Sequence, residues 1–237
     1  MAQEPNILII SGSYGSGKTE YAINLATRCR VEGRDCLLVD LDVVNPYFRT
    51  RDVRDLFARR GISVIAPEGS LSHADLPMLS PRVSGALTIE DKTVILDAGG
   101  DAMGARVLGR YCREIEKRPY SMVLVINTRR PGTRDAEGVM AQMDAIQHKA
   151  GLAFTEIVSN THLMEDTDED VVREGAAVAR QVAESRGLIF RRVCVLEDYL
   201  SRVAPGAVDA EIFVLKKYMK KPWEILSSTR RAGDGRS

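Results

Sequence analysis

The sequence has no surplus of charge of either sign: 33 lysines and arginines stand against 33 aspartates and glutamates in 237 residues. A protein that wraps nucleic acid needs a basic excess to meet the phosphate backbone, so this balance argues against that class of partner. Cysteine is also scarce. Cys29, Cys36, Cys112 and Cys194 form no C-x-x-C pair and have no histidine at ligand spacing. They are expected to be buried free thiols. No stretch approaches the roughly 20 apolar residues that a membrane-spanning helix needs. The opening "MAQEPNILII" lacks a basic region followed by a long apolar run, so no signal peptide is expected, and the reading is cytoplasmic. What remains is an ordinary globular composition, 44% apolar and 28% charged, in a chain long enough for one large α/β domain.

Short apolar runs alternate with amphipathic helical stretches. The runs are Ile7–Ile10, Cys36–Asp40, Ile62–Ala66, Thr93–Asp97, Ser121–Asn127, Phe154–Ser159 and Leu188–Val195. They are continuous and do not alternate with polar residues, which suits strands buried on both faces of a parallel sheet. Between them, Val53, Leu56 and Phe57 mark a helix closed by Gly61. Val139, Met140, Met143 and Ile146 mark another, which stops at Gly151. A third opens on the acids of "TDED", carries Val171, Gly175, Val178 and Val182 on one face, and ends at Gly187. A final helix is expected over Val208, Ile212, Leu215 and Met219. The fold class predicted is a single doubly wound, mostly parallel α/β sheet with helices on both faces, over residues 1–228. Residues 229–237 are expected to be a polar, disordered tail.

The sharpest motif is Gly12-Ser-Tyr-Gly-Ser-Gly-Lys18-Thr19, which fits G-x-x-x-x-G-K-[ST] without a gap. Such a loop works because backbone N–H groups converge on an anion where a strand turns into a helix. Gly12, Gly15 and Gly17 are expected to take positive φ and let the backbone close in. Ser13, Tyr14, Ser16 and Glu20 complete the nucleotide-contacting stretch. Lys18 would reach the terminal phosphates and the Thr19 hydroxyl would hold Mg²⁺. The context is right: "NILIIS" reads as a strand before it, and Ala22, Leu25, Ala26 and Cys29 as a helix face after it.

A phosphate loop needs a carboxylate for the metal shell, and "TVILDAGGD" ends a strand in Asp97 with Gly99 and Gly100 behind it. "CLLVDLDVVNPYFRTRD" places Asp40 and Asp42 beyond the end of another strand, facing the crevice of an open α/β sheet. One of this pair can join the metal shell while the other orients or deprotonates the attacking water. An ordinary helix N-cap role for Asp42 or Asn45 is the plainer alternative.

Together these segments resemble the MinD/ParA/Mrp class of P-loop ATPases within the SIMIBI group. The resemblance implies Asp42 as the water-positioning residue, Asp40 and Asp97 near the metal, and Asn45 at the γ-phosphate. It further implies that Asn160, at the end of "EIVSN", recognises the adenine, and that Glu197 and Asp198 of "VCVLEDYL" lie beside the base, with Leu196 in place of the usual proline. The motifs span roughly residues 6 to 200. The class commonly carries a lysine that reaches the partner's nucleotide across a dimer, but that position is Ser13 here, followed by Tyr14 instead of glycine. Arg49, Arg51 or Arg54 is a candidate to supply the charge in trans, against the simpler reading of arginines in solvent at the start of a helix.

Three functions follow. The first is a Mg²⁺-dependent ATPase acting as a switch or assembly factor on a protein partner, with a homodimer and a docking segment at 67–87 in view. The second is a small-molecule phosphotransferase or ATP-dependent ligase, for which the same Ser/Pro-rich segment, with His73, Asp75 and Arg82, is the place to seek a substrate loop. The third is a metallocentre or iron–sulfur carrier using Cys112. One cysteine per subunit gives a dimer only two ligands, too few for a tetrahedral site. ATP is favoured over GTP, because "SNTH" lacks the N-K-x-D pattern that selects guanine.

Overall fold

The computed structural model describes residues 5–42, 51–66 and 81–219. Eight strands form one sheet in the order β3-β2-β4-β1-β5-β6-β7-β8, and every neighbouring pair is parallel. They are β1 Ile7–Ser11, β2 Cys36–Asp40, β3 Ser63–Ile65, β4 Thr93–Asp97, β5 Tyr120–Ile126, β6 Glu156–Ser159, β7 Ile189–Leu196 and β8 Glu211–Leu215. The helices are α1 Lys18–Val31, α2 Arg51–Arg59, α3 Pro81–Leu87, α4 Ala102–Gly109, α5 Cys112–Ile115, α6 Ala136–Ala150 and α7 Glu169–Arg186.

Alternation along each strand divides the core. Ile7 and Ile9 of β1 face one cluster with Val94, Leu96, Leu124, Val139 and Val182, under α3 to α7. Ile10 faces the other cluster with Leu38, Ile95 and Val125, beneath Ala22, Leu25 and Ala26 of α1 and Phe57 of α2. β2 and β4 are buried along their whole length, which accounts for their unbroken apolar runs. The helices end where their signals stand. Asp135 and Asp168 cap α6 and α7 by accepting from Gly138 and Val171 N–H, and Gly151 and Gly187 close them at φ 68° and 65°.

The expected final helix is a strand. In β8, Phe213 and Leu215 turn to the α1 side of the sheet, while Ile212 packs with Val193 and Val195 on the other. The helical spacing of Val208, Ile212 and Leu215 was outweighed by the contiguous run Ile212-Phe213-Val214-Leu215, which extends the sheet by pairing with β7. The crossover from β7 to β8 carries only a 3-10 turn, Glu197–Arg202. The sheet is therefore wholly parallel.

Among the described residues no helix is long and apolar enough to cross a membrane. The proposed tail at 229–237 lies outside the described residues, as does 67–80 of the Ser/Pro-rich segment, whose final part forms α3. Cys29, Cys36 and Cys194 are buried thiols. Cys112 donates to the Gly151 carbonyl at 3.3 Å, beside the end of α6 and hence at the opposite edge of the sheet from the strands' C-terminal ends.

Candidate functional site

Topology brings three strand ends together. β4 lies between β1 and β2, with Asp97 in register with Ile10 on one side and Asp40 on the other. The Gly12–Gly17 loop springs from β1 at that edge and leads into α1. Gly17 is left-handed at φ 84°, and no side chain caps the helix. The first N–H groups of α1 are thus left for an anion. Gly15 is also left-handed, at φ 75°. Gly12 is not, contrary to the expectation of a positive φ; its bareness serves close approach, since a Cβ there would lie 2.2 Å from the Val125 carbonyl oxygen. Tyr14 stands at the loop crest, 80% exposed.

Lys18 is buried and ion-paired with Asp42, Nζ to Oδ2 2.6 Å. Asp42 is held in turn, because its own N–H donates to Asp40 Oδ1 at 3.0 Å. Burial pulls the Lys18 pKa down, but Asp97, Asp42 and Asp40 outweigh it and the net shift is upward. Lys18 is therefore a firm cation. Asp97 is fully buried, and burial drives its carboxyl up against the pull of Lys18 and a hydrogen bond from Thr19.

Buried Ser11 Oγ, Ser13 Oγ, Ser16 Oγ and Asp97 Oδ1 make no hydrogen bond among the described residues. Buried polar atoms are seldom left so, and here several flank one loop. The Asp97 oxygen beside the Thr19 hydroxyl fits a Mg²⁺ that takes its remaining ligands from phosphates and water. Among the described residues no group of three His, Cys, Asp or Glu side chains encloses a metal by itself.

The turn after β4 closes against the loop. A Cβ on Gly100 would fall 2.1 Å from the Gly12 carbonyl oxygen, so only glycine fits unless one backbone moves. Gly100→Ala is expected to push the two apart, at a cost of about 1–3 kcal/mol. A lowered thermal midpoint with weaker nucleotide binding is the result to look for, and wild-type behaviour in both would show that the contact is dispensable.

On the other flank, Asn160 follows β6 and its Nδ2 donates to the Ser16 carbonyl at 2.7 Å. Its side chain also abuts Gly17, where a Cβ would meet Nδ2 at 2.1 Å. Asn160 is thus a clamp on the glycine-rich loop. The exposed Glu197 and Asp198 begin the 3-10 turn after β7, one strand further out, with Glu197 Oε1 3.8 Å from Lys216 Nζ. Glu20 turns away from the loop: its carboxylate accepts from the Tyr218 and Met219 N–H groups. Asn45 and Arg49 lie outside the described residues, as does the side chain of Arg51, and Arg54 is half-buried on α2. Sequence reasoning passed over Arg130, whose Nε donates to the Gly15 carbonyl at 3.1 Å. The "TRRPG" turn at a strand's C-terminal end was the available signal.

No protein-family model matches the sequence, and no curated protein matches it either. Solved structures do match in shape. The cell division protein FtsY of Thermotoga maritima gives a TM-score of 0.56 at 19% identity, over 82% of this chain and 63% of that one. The signal recognition particle receptor FtsY of Elizabethkingia anophelis, in complex with GDP, gives 0.51 at 19% identity, over 82% and 58%. FtsY of Mycoplasma mycoides gives 0.52 at 16%, over 82% and 61%. The chain spans about three fifths of the length of these proteins. At such identities the likeness is one of fold: this chain shares with them a P-loop α/β fold, one parallel sheet with helices.

Proposed function

We propose that the protein is a Mg²⁺-dependent ATPase of MinD/ParA-like type that serves as a nucleotide switch or assembly factor for a protein partner. The observation that carries this reading is the buried Lys18–Asp42 pair on the phosphate loop, with Thr19 and Asp97 beside it. The uncapped start of α1 supports an anion in the same place.

The residues then divide the work. The N–H groups of Gly15 and of Gly17 to Thr19 receive the phosphates, while Ser16 N–H donates to the Ser13 carbonyl at 3.1 Å. Lys18 exchanges its carboxylate partner for phosphate oxygens, and this releases Asp42 to orient the attacking water and accept its proton. Thr19 and Asp97, with Asp40 behind them, would hold Mg²⁺, which would neutralise charge on the phosphate oxygens. A Cβ on Gly99 would lie 3.5 Å from Asp42 Oδ1 and one on Gly100 2.1 Å from the Gly12 carbonyl oxygen, so their turn is placed to respond to the presence of the last phosphate. An Asp42 that leaves Lys18 only when triphosphate arrives is a two-state element, as a switch requires.

ATP is preferred because Thr161, His162 and Leu163 follow Asn160 and supply no carboxylate for a guanine edge. The GDP in the E. anophelis FtsY structure makes GTP the nucleotide to compare. The test measures binding and turnover of both nucleotides and the mass of the particle with each. Slow ATP turnover that a partner accelerates is expected. Turnover of GTP with no binding of ATP would overturn the base assignment, and failure to bind either would overturn the whole reading.

A further inference from the structure

We infer that Arg130 supplies, on the same chain, a cation for the phosphates of the bound nucleotide; this rests on the nucleotide reading above. Arg130 sits in a turn built with care at the C-terminal end of β5. Its N–H donates to the Asn127 carbonyl at 3.1 Å, and the Thr133 hydroxyl donates to that same carbonyl at 2.9 Å. Asn127 Oδ1 accepts from Arg129 N–H at 2.9 Å. The two neighbouring arginines then part. Arg129 pairs with Glu174 of α7, whereas Arg130 crosses to the phosphate loop and lies on Gly15, where a Cβ would meet its Nε at 3.0 Å.

That contact uses Nε alone. The four N–H donors of its two Nη groups have no partner among the described residues, and the side chain is exposed. Charge arithmetic says what they await. Lys18 is already opposed by Asp42, Asp97 and Asp40, so the inner wall of the site carries no net positive charge. Arg130 is a cation on the opposite rim with no carboxylate beside it among the described residues. Its field already reaches the neighbouring base-side segment, where it helps hold the His162 pKa down, after burial as the main cause. A guanidinium fixed at one nitrogen and open at two is suited to an anionic oxygen pair. The bond to Gly15 orders the side chain beforehand, which lowers the entropy lost on binding.

The experiment compares wild type, Arg130→Gln and Arg130→Lys for binding of ATP, ADP and AMP by calorimetry across a salt series, with thermal midpoints of the free proteins as a check on folding. Arg130→Gln is expected to weaken ATP about ten- to hundredfold. ADP should lose less and AMP little, and the salt dependence should become shallower. Arg130→Lys should recover part of the loss. Unchanged ATP affinity in Arg130→Gln would overturn the inference. So would an equal loss for all three nucleotides with an unaltered salt dependence, which marks a packing role on the loop. Both outcomes presuppose that wild type binds; if it binds none of the three, the parent reading falls first.

Discussion

Lys18→Ala is expected to lose nucleotide binding by at least about a hundredfold and, separately, to destabilise the free protein. The first effect follows from removing several charge-assisted bonds to phosphate, each worth roughly 1.5–3 kcal/mol. The second follows from the company Lys18 keeps. Asp42 and Asp97 are 3% and 1% exposed; without the ammonium Asp42 loses its 2.6 Å ion pair and Asp97 loses the charge that opposes its burial. Breaking a buried pair from one side costs about 3–5 kcal/mol.

The cost has a direction in pH. Asp97 already sits above its ordinary value of 3.8 because it is buried, and losing Lys18 raises it further. A carboxyl raised in the folded state favours folding when protonated, and that contribution is lost as pH rises through its folded pKa. The deficit of Lys18→Ala relative to wild type should therefore be smallest in acid, grow as pH rises from the folded Asp97 value of wild type, itself above 3.8, to the still higher one of the variant, and level off once the carboxyl has ionised in both. Urea melts at several pH values read this directly. A deficit that stays constant with pH would remove Asp97 from the account. Lys18→Ala/Asp42→Asn provides the complementary measurement: it should regain stability without regaining nucleotide.

Asp42→Ala is expected to abolish turnover while leaving nucleotide bound. If Asp42 positions and deprotonates the water, its removal costs about 10²–10⁴ in rate. Affinity should hold or improve, because Lys18 no longer has to leave a carboxylate 2.6 Å away before it meets phosphate. Asp97 still compensates Lys18, so the fold should survive. Single-turnover hydrolysis and equilibrium binding on one preparation separate the two quantities. An unchanged hydrolysis rate would refute the role given to Asp42, and a large loss of affinity would assign it to binding instead.

The parts of this site that could be read from the sequence are those that a local pattern dictates. A strand buried on both faces must be apolar throughout, so β1, β2 and β4 announced themselves, with Asp40 and Asp97 at their ends. The glycines and Lys18 are required within eight consecutive positions by the loop itself. β8 was misread because Val208, Ile212 and Leu215 satisfy a helical period by accident, and only its pairing with β7 decides the matter. Arg130 was invisible for a different reason. It lies 115 positions from Gly15, and nothing local separates it from Arg129, which the same turn sends to Glu174. Glu20 was assigned to the nucleotide by its place in the motif, yet its carboxylate is committed to backbone N–H groups 198 and 199 positions away.

That commitment has a mechanical consequence. Beyond Glu20, Asn24 donates to the Lys216 carbonyl at 2.9 Å and accepts from its N–H at 2.8 Å. Tyr218 stacks obliquely on Phe57 with Arg60 over its ring. The stretch following the last strand is thus stitched to the opening turn of α1 and to α2, the two helices that flank the Asp42 corner. An edge strand ordinarily peels first, but here peeling must also unstitch the helix that carries the phosphate lysine. Separating the margin of the sheet therefore requires breaking the bonds that Glu20 and Asn24 of α1 make to Lys216, Tyr218 and Met219.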